Sequence, residues 1–464
     1  MSSNVSIEDV PLNRFHRLLT LRSGGGSFVD GYVLSIIGIV MPSLVPAMGL
    51  TSLGESMLAI SALLGIFVGG FFGGNLTDRF GRKMIYFIGP ILFTLCSVLQ
   101  LWVQSETTLF VLRFIIGIGV GIEYPVATAF LVEFLPKKYR GPRLAGLTIC
   151  WFAGAAVAYV AGGAILQSGI ENGWRYALAS TAIISTLLFA VRLGTPESPR
   201  WLLSKGRPDE AALIIKQVFG NAFGLQNLPE QPRALKLSFV DLLRSGYGKR
   251  MFFVSMFWTC SVIPVFAVYA FAPKVLEALH LSGAWATYGS IAITTLFVVG
   301  CSIATWLVNA MGRRSLLIHS LLWSGVALLL LGLFPDAPSL MILVMFGAYA
   351  LLVGGAQVLQ LVYPNEIFPT EIRAAAVGFG TSMSRIGAVV GTYLIPISIL
   401  NAGIGNTMYF AAAITFLGLA VSWFLAPETR SKNLSDAASL TPDEMKESKG
   451  SSVREDSPLL SRAR

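Results

Sequence analysis

The sequence is short of charge: Asp, Glu, Lys and Arg together make up 13% of its 464 residues, where a soluble globular chain carries about a quarter. That shortage excludes an ordinary soluble protein, for which the length alone would suggest about three domains. Cysteine is scarce as well. Cys96, Cys150, Cys260 and Cys301 all fall inside apolar runs without a C-x-x-C spacing, so neither a disulfide framework nor a thiolate metal site follows. His16, His280 and His319 are scattered and form no ligand cluster. With no nucleophile–base pair and no metal cluster in the pattern, an enzyme is not expected, and neither is a bound cofactor. A cleavage signal of the A-x-A kind is also missing after the first apolar run, which is therefore expected to be retained.

What the chain has instead is hydrocarbon. Hydrophobic residues make up 54% of it, and the mean hydropathy is +0.68. Crossing a core of about 30 Å takes roughly 20 apolar residues, and by that rule twelve spans are expected. Six lie near 24–47, 53–76, 84–104, 107–134, 143–168 and 173–194. Six more lie near 252–279, 284–310, 315–334, 338–363, 374–400 and 404–426. The fold class is therefore an all-α membrane protein embedded in a lipid bilayer.

The net charge of +9 would suit nucleic acid only if the cations lined one face. They gather instead in alternate connectors: DRFGRK (78–83), PKKYRGPR (136–143), MGRR (311–314) and the 195–251 loop. The opposite connectors, such as QSETT (104–108) and LFPDAPS (333–339), are nearly free of Lys and Arg. No nucleic-acid partner is expected, and the positive-inside rule places both termini in the cytoplasm.

The chain also repeats itself. Gly81-Arg82-Lys83 recurs as Gly312-Arg313-Arg314, and 312 − 81 = 231. VEFLPKKYR (132–140) recurs as NEIFPTEIR (365–373), and PESPR (196–200) as PETRS (427–431), with Glu197 to Glu428 again 231 apart. Two parallel six-helix bundles follow, 24–194 and 252–426. A segment 1–23 precedes them, a linker 195–251 with amphipathic helices such as PDEAALIIKQVF (208–219) joins them, and a Ser-rich, charged tail 427–464 follows. The tail contains EDSPLL (455–460), which resembles an acidic dileucine sorting signal.

GGNLTDRFGRK (73–83), RFIIGIGVG (113–121) and PESPRW (196–201) together resemble the major facilitator superfamily, and within it the sugar porters and metabolite/proton symporters. The likeness is strongest to bacterial inner-membrane metabolite transporters near the aromatic-acid and organic-ion branches. It implies twelve transmembrane helices in two pseudo-symmetric bundles, a monomer, and a small-molecule substrate moved with H+. It also implies a conformational latch at the cytoplasmic ends. Asp78, Arg79, Arg82 and Arg313 belong to it, and Glu133 with Arg140, Glu197 with Arg200, and Glu366 with Arg373 are expected to pair there, with Glu428 repeating Glu197. Breaking such pairs would favour the other orientation of the carrier.

Four ionisable residues fall inside spans: Asp30, Arg113, Glu123 and Arg385. Each costs at least about 2.5–3.5 kcal/mol on insertion scales, which makes each a functional candidate. Arg113 matches an arginine that in sugar porters faces an aspartate of span 1. That aspartate follows Gly-Tyr, whereas here Gly31-Tyr32 is followed by Val33, and Asp30 lies three residues earlier. The partner of Asp30 is therefore Arg113 or Glu123, and proton coupling is expected from Asp30, Glu123 and Arg113.

Arg385 in GTSMSRIGAVVG (380–391) resembles the span-11 arginine of organic-anion carriers. A guanidinium cannot be neutralised and offers a fork to a carboxylate. Around it, Tyr124, Trp151, Trp258, Tyr269, Gln357 and Gln360 are candidate substrate contacts. The leading expectation is a proton-coupled symporter of a small organic anion, such as an aromatic or sugar acid. Sugar or polyol symport and metabolite or drug export are the alternatives.

Overall fold

In the computed structural model, residues 6–7, 9–228, 247–278, 284–368 and 370–430 are described. The side chains of Asp78, Arg140, Tyr269 and Arg373, and the EDSPLL tail segment, lie outside the described set. Among the described residues the chain is helical without strands.

The first half contains span 1 (Arg14–Met48), span 2 (Ser52–Phe80), span 3 (Arg82–Leu99), span 4 (Glu106–Phe134), span 5 (Lys137–Gln167) and span 6 (Gly173–Arg192). The second contains span 7 (Gly248–Ala278), span 8 (Ala284–Met311), span 9 (Arg313–Leu333), span 10 (Ser339–Leu352 continued by Gly354–Ile367) and the run Thr370–Leu425. That run is two helices, spans 11 and 12, divided at Gly403, whose φ of 78° is not helical. Ten of these segments are long and apolar enough to cross a membrane.

Span 1 starts at Arg14, ten residues before the apolar run. Asn13 caps it by accepting from the His16 N–H at 2.9 Å, and polar sequence thereby continues the helix out of the expected span. In the linker, Pro199–Ser204 and Pro208–Phe219 are short helices, the second buried through Ala211, Ile215 and Val218 at helical spacing.

Small residues decide how closely the spans cross, because lipid supplies no hydrophobic drive between helices. A Cβ on Gly31 would land on the Trp151 carbonyl, and one on Gly154 on the Phe28 carbonyl, so spans 1 and 5 touch backbone to backbone. Gly69 and Gly121 bring spans 2 and 4 together in the same way, and Gly300 and Gly354 do so for spans 8 and 10. The offsets, 300 − 69 = 231 and 354 − 121 = 233, are those of the sequence repeat.

The two halves meet where span 1 lies against span 7, span 5 against span 8, and span 2 against the 370–425 run. Phe152 of span 5 stacks on Phe297 of span 8 with ring centres 5.3 Å apart. Since Gly31 carries Asp30 on one side and admits the Trp151 backbone on the other, Gly31→Ala should cut the yield of monodisperse protein severely. An equal yield on size-exclusion chromatography would show that spans 1 and 5 have room to part.

Candidate functional site

At the basic end of the molecule the repeat is reproduced atom for atom. Gly81 (φ 102°) and Gly312 (φ 88°) turn the chain into spans 3 and 9, and only glycine fits: a Cβ would reach within 2.5 Å of a Glu197 oxygen or 2.7 Å of a Glu428 oxygen. The freed N-terminal N–H groups of span 3, those of Arg82 and Lys83, donate to the Glu197 carboxylate at 3.0 and 3.1 Å. Those of span 9, from Arg313 and Arg314, donate to Glu428 at 3.0 and 3.1 Å. Helix N-termini favour a carboxylate there. The Arg82 guanidinium bridges to Glu133 at 3.2 Å, and Arg313 to Glu366 at 2.9 Å.

Among the described residues these acids have partners that spacing did not indicate, while the expected pairings of Glu133 with Arg140 and of Glu366 with Arg373 fall on side chains outside the described set. Glu133 and Glu366 hold the arginines that open spans 3 and 9, and Glu197 caps span 3. Among the described residues each network lies within one half. The residues that meet are distant in sequence, so local motif spacing could not pair them. Arg79 is exposed beside the Phe80 ring, 5.3 Å from its centroid.

The two capped carboxylates differ in environment. Burial pushes the Glu197 carboxyl up from its ordinary value, against the N–H groups of Ser198, Lys83 and Arg82. At Glu428 burial acts in the same direction, but the N–H groups of Arg430, Arg313 and Arg314 outweigh it and hold the carboxyl below its ordinary value. A raised carboxyl favours the protonated folded state, so its contribution is lost as pH rises through the folded value and regained on acidification. Of the two capped carboxylates, only Glu197 is raised above the ordinary carboxylate range. On mild acidification the melting temperature of the wild type should therefore change more favourably than that of Glu197→Gln. An unchanged pH slope in that variant would contradict the assignment.

Deeper in the bundle the expected charges separate into two groups. Glu123 (2% exposed) forms an ion pair with Arg192 at the end of span 6, which is fully buried. Arg192 Nη1 donates to the other Glu123 oxygen at 2.9 Å and to the Tyr86 carbonyl at 2.6 Å, while the guanidinium lies 3.6 Å over the Tyr86 ring. The carboxylate fits because Gly26 and Gly89 flank it; a Cβ on Gly26 would strike both members of the pair. Neither Arg113 nor Asp30 is the hydrogen-bonded partner of Glu123. Arg192 was missed because it stands in the last turn of its span, where a cation ordinarily reaches out to the membrane edge. Arg22, also buried, closes the same end by donating to the Val191 and Leu193 carbonyls, each at 2.8 Å.

Arg113 (1% exposed) reaches span 1 at Val33, whose carbonyl it contacts at 3.5 Å, and makes no ion pair with Asp30 among the described residues. Its Nε and Nη1 find no partner there. Substitution of an acid by Val33 explains this, because Asp30 lies about one turn away along the helix.

Asp30 itself is 1% exposed, with Oδ1 unpartnered among the described residues. It sits one turn from Gly26 and so beside the Glu123–Arg192 pair, and it feels the charges of Glu123, Arg192 and Arg385. Arg385 (5% exposed) arrives from span 11. Its guanidinium carbon lies 5.5 Å from the Tyr124 ring centroid and 5.3 Å from that of Phe266, and its Nε has no partner among the described residues. Trp151 completes the wall, 5.8 Å from Phe266 and edge-on to Phe152 at 5.1 Å. Asp30, Tyr124, Trp151 and Arg385 therefore come together where spans 1, 4, 5, 7 and 11 converge.

Trp258 and the two glutamines stand apart. Trp258 is buried against Gly380, and its indole N–H has no partner among the described residues. Gln357 donates to the Ser261 carbonyl at 3.2 Å, and Gln360 to the Ser261 hydroxyl at 3.0 Å and to Gln357 at 2.9 Å. These amides tie span 10 to span 7. The described residues hold no cluster of metal-ligating side chains.

The model of a family described as "Sugar (and other) transporter" matches residues 23–440. The chain is 38% identical to the putative metabolite transport protein YaaU of Escherichia coli over 442 residues, 95% of this chain and 98% of that one. It is 36% identical to the inner membrane metabolite transport protein YgcS of the same organism over 429 residues, 92% and 95% of the two chains. Among solved structures, the partially occluded inward-open xylose transporter XylE from E. coli superposes with a TM-score of 0.79 at 23% identity, covering 91% of this chain and 100% of that one. XylE bound to 6-bromo-6-deoxy-D-glucose, described as a major facilitator superfamily proton:xylose symporter, gives 0.75 at 24% identity, covering 91% and 98%.

Proposed function

The chain belongs to the sugar (and other) transporter family, and on that premise we propose that it is a proton-coupled symporter importing a small organic anion by alternating access. It is a multi-pass membrane protein with the major facilitator fold and not an enzyme. The observation that carries the anion reading is Arg385. It is a permanently charged guanidinium buried between two aromatic rings, with Nε free and no salt-bridge partner among the described residues. Such a group calls for an anion, and a carboxylate is the planar partner that it matches. The aromatic walls from Tyr124, Trp151 and Phe266 suit an acid with a ring or an apolar body.

Asp30 is the proton carrier in this reading: it is buried, its Oδ1 has no partner among the described residues, and it feels the charge of Arg385. Glu123 serves instead as the fixed counter-ion of Arg192. XylE is a proton symporter by its own description, which supports proton coupling here. The basic end, with both termini, faces the cytoplasm, and the carrier works as a monomer in a bacterial inner membrane, in keeping with the description of YgcS as an inner membrane protein. The Arg82–Glu133 and Arg313–Glu366 networks brace the cytoplasmic end of each half, and breaking them would favour the other orientation of the carrier.

The family description and XylE also favour a neutral sugar. Against it, the amides of Gln357 and Gln360 that would bind hydroxyls are engaged by Ser261. A thermal-shift screen of the purified protein separates the readings. Aromatic or sugar acids should raise the melting temperature, and Arg385→Leu should abolish the shift. Stabilisation by neutral sugars that carboxylates do not compete away would overturn the anion.

A further inference from the structure

The proton and the substrate anion have their groups in Asp30 and Arg385, and Glu123 has its cation in Arg192. One buried charge is left over. Arg113 on span 4 is 1% exposed, and its one described hydrogen bond, from Nη2 to the Val33 carbonyl, is long at 3.5 Å. Nε and Nη1 have no partner among the described residues. The acids of the first half lie elsewhere. Glu123 is bound to Arg192, and Asp30 stands beside that pair, one turn of span 1 from Val33. Glu106 opens span 4, and 113 − 106 = 7 residues place it about 10 Å away along the helix. Glu55, in the first turn of span 2, lies at that same end, where Gly54 meets the Glu106 carboxylate. Around the Arg113 contact, spans 1 and 4 carry Val33, Ile36, Ile37, Leu109 and Ile116, all buried and apolar.

A guanidinium cannot shed its charge, and a buried charge without a counter-ion is strongly disfavoured. Arginines inside a membrane ordinarily pair with an acid or face a water-filled cavity. We propose that Arg113 holds a small inorganic anion, chloride in ordinary salt, as its counter-ion, so that a mobile ion neutralises the first bundle where no side chain does. The site is separate from that of the substrate. Tyr124, whose ring Arg385 covers, follows Arg113 on span 4 by 124 − 113 = 11 residues, about 16 Å along the helix. Burial among branched apolar residues suits a monatomic ion, which brings one charge and no further polar group, better than an organic body with hydroxyls or carbonyls of its own. By mass action such an ion stabilises the folded protein as it fills the site.

The test follows thermal unfolding of the full-length purified protein in detergent while sodium chloride replaces sodium methanesulfonate at constant total salt. The wild type should gain several degrees along a saturating curve, with bromide acting like chloride. Val33→Asp, which sets a fixed carboxylate beside the guanidinium, should lose the chloride dependence. Val33→Asn, of the same shape and uncharged, should keep it. Arg113→Leu, apolar among apolar neighbours, should also be insensitive, and it carries the test if the aspartate variant does not fold. Arg385→Leu should respond to chloride like the wild type. A wild type indifferent to chloride overturns the site, as does a dependence that survives in Arg113→Leu. A dependence that Arg385→Leu abolishes overturns it too, because the ion would then belong to the substrate site. In the Arg385→Leu protein, stabilisation by benzoate in place of chloride would overturn the inorganic ion.

Discussion

Arg192→Leu is expected to destabilise the protein by about 3–5 kcal/mol, the cost of leaving one member of a buried pair without its partner. Glu123 is 2% exposed, flanked by Gly26 and Gly89, and its described polar contacts are to Arg192. Among the described residues the other buried arginines of the first half are engaged elsewhere, Arg113 at the Val33 carbonyl and Arg22 at the Val191 and Leu193 carbonyls. Leucine also removes the bond to the Tyr86 carbonyl. The double variant Glu123→Leu with Arg192→Met should recover most of the loss, since replacing both members of a buried pair by apolar groups is often neutral. Thermal unfolding followed by size-exclusion chromatography checks the pair. A double variant as unstable as Arg192→Leu would mean that the arginine acts through Tyr86 and the span-6 terminus, not through Glu123.

Arg385→Leu is expected to reduce anion transport efficiency by about 30-fold to 4000-fold, because losing a buried charged partner costs about 2–5 kcal/mol in binding. Leucine fills much of the space between Tyr124 and Phe266, so the fold should survive and the loss should appear in transport alone. Arg385→Lys should rescue only part of it, as an ammonium lacks the planar fork. Equal loss with a neutral sugar as substrate would assign Arg385 to packing.

The helical membrane fold was legible in the sequence because lipid imposes a length on every crossing. The repeat was legible for a similar reason: Gly81 and Gly312 meet the same positive φ in both halves, and Glu197 and Glu428 cap the same helix end. What spacing could not supply was partnership between spans. Helical periodicity says which residues share a face, not which neighbour that face meets. Glu133 thus finds Arg82, 51 residues away, and Glu123 finds Arg192, 69 away. Gln357 and Gln360 looked free for a ligand until span 7 placed Ser261 against them. Arg385 was recognised because an arginine in mid-membrane has few explanations.

The most direct test of the account is uptake of a radiolabelled carboxylic acid into proteoliposomes with an imposed pH gradient, acid outside. One proton moving with one monoanion carries no net charge. The pH gradient should therefore drive accumulation, and a membrane potential of 100 mV, worth about 2.3 kcal/mol per charge, should add nothing. Asp30→Asn should equilibrate the anion without concentrating it. Accumulation that ignores the pH gradient, or that survives in Asp30→Asn, would contradict the account.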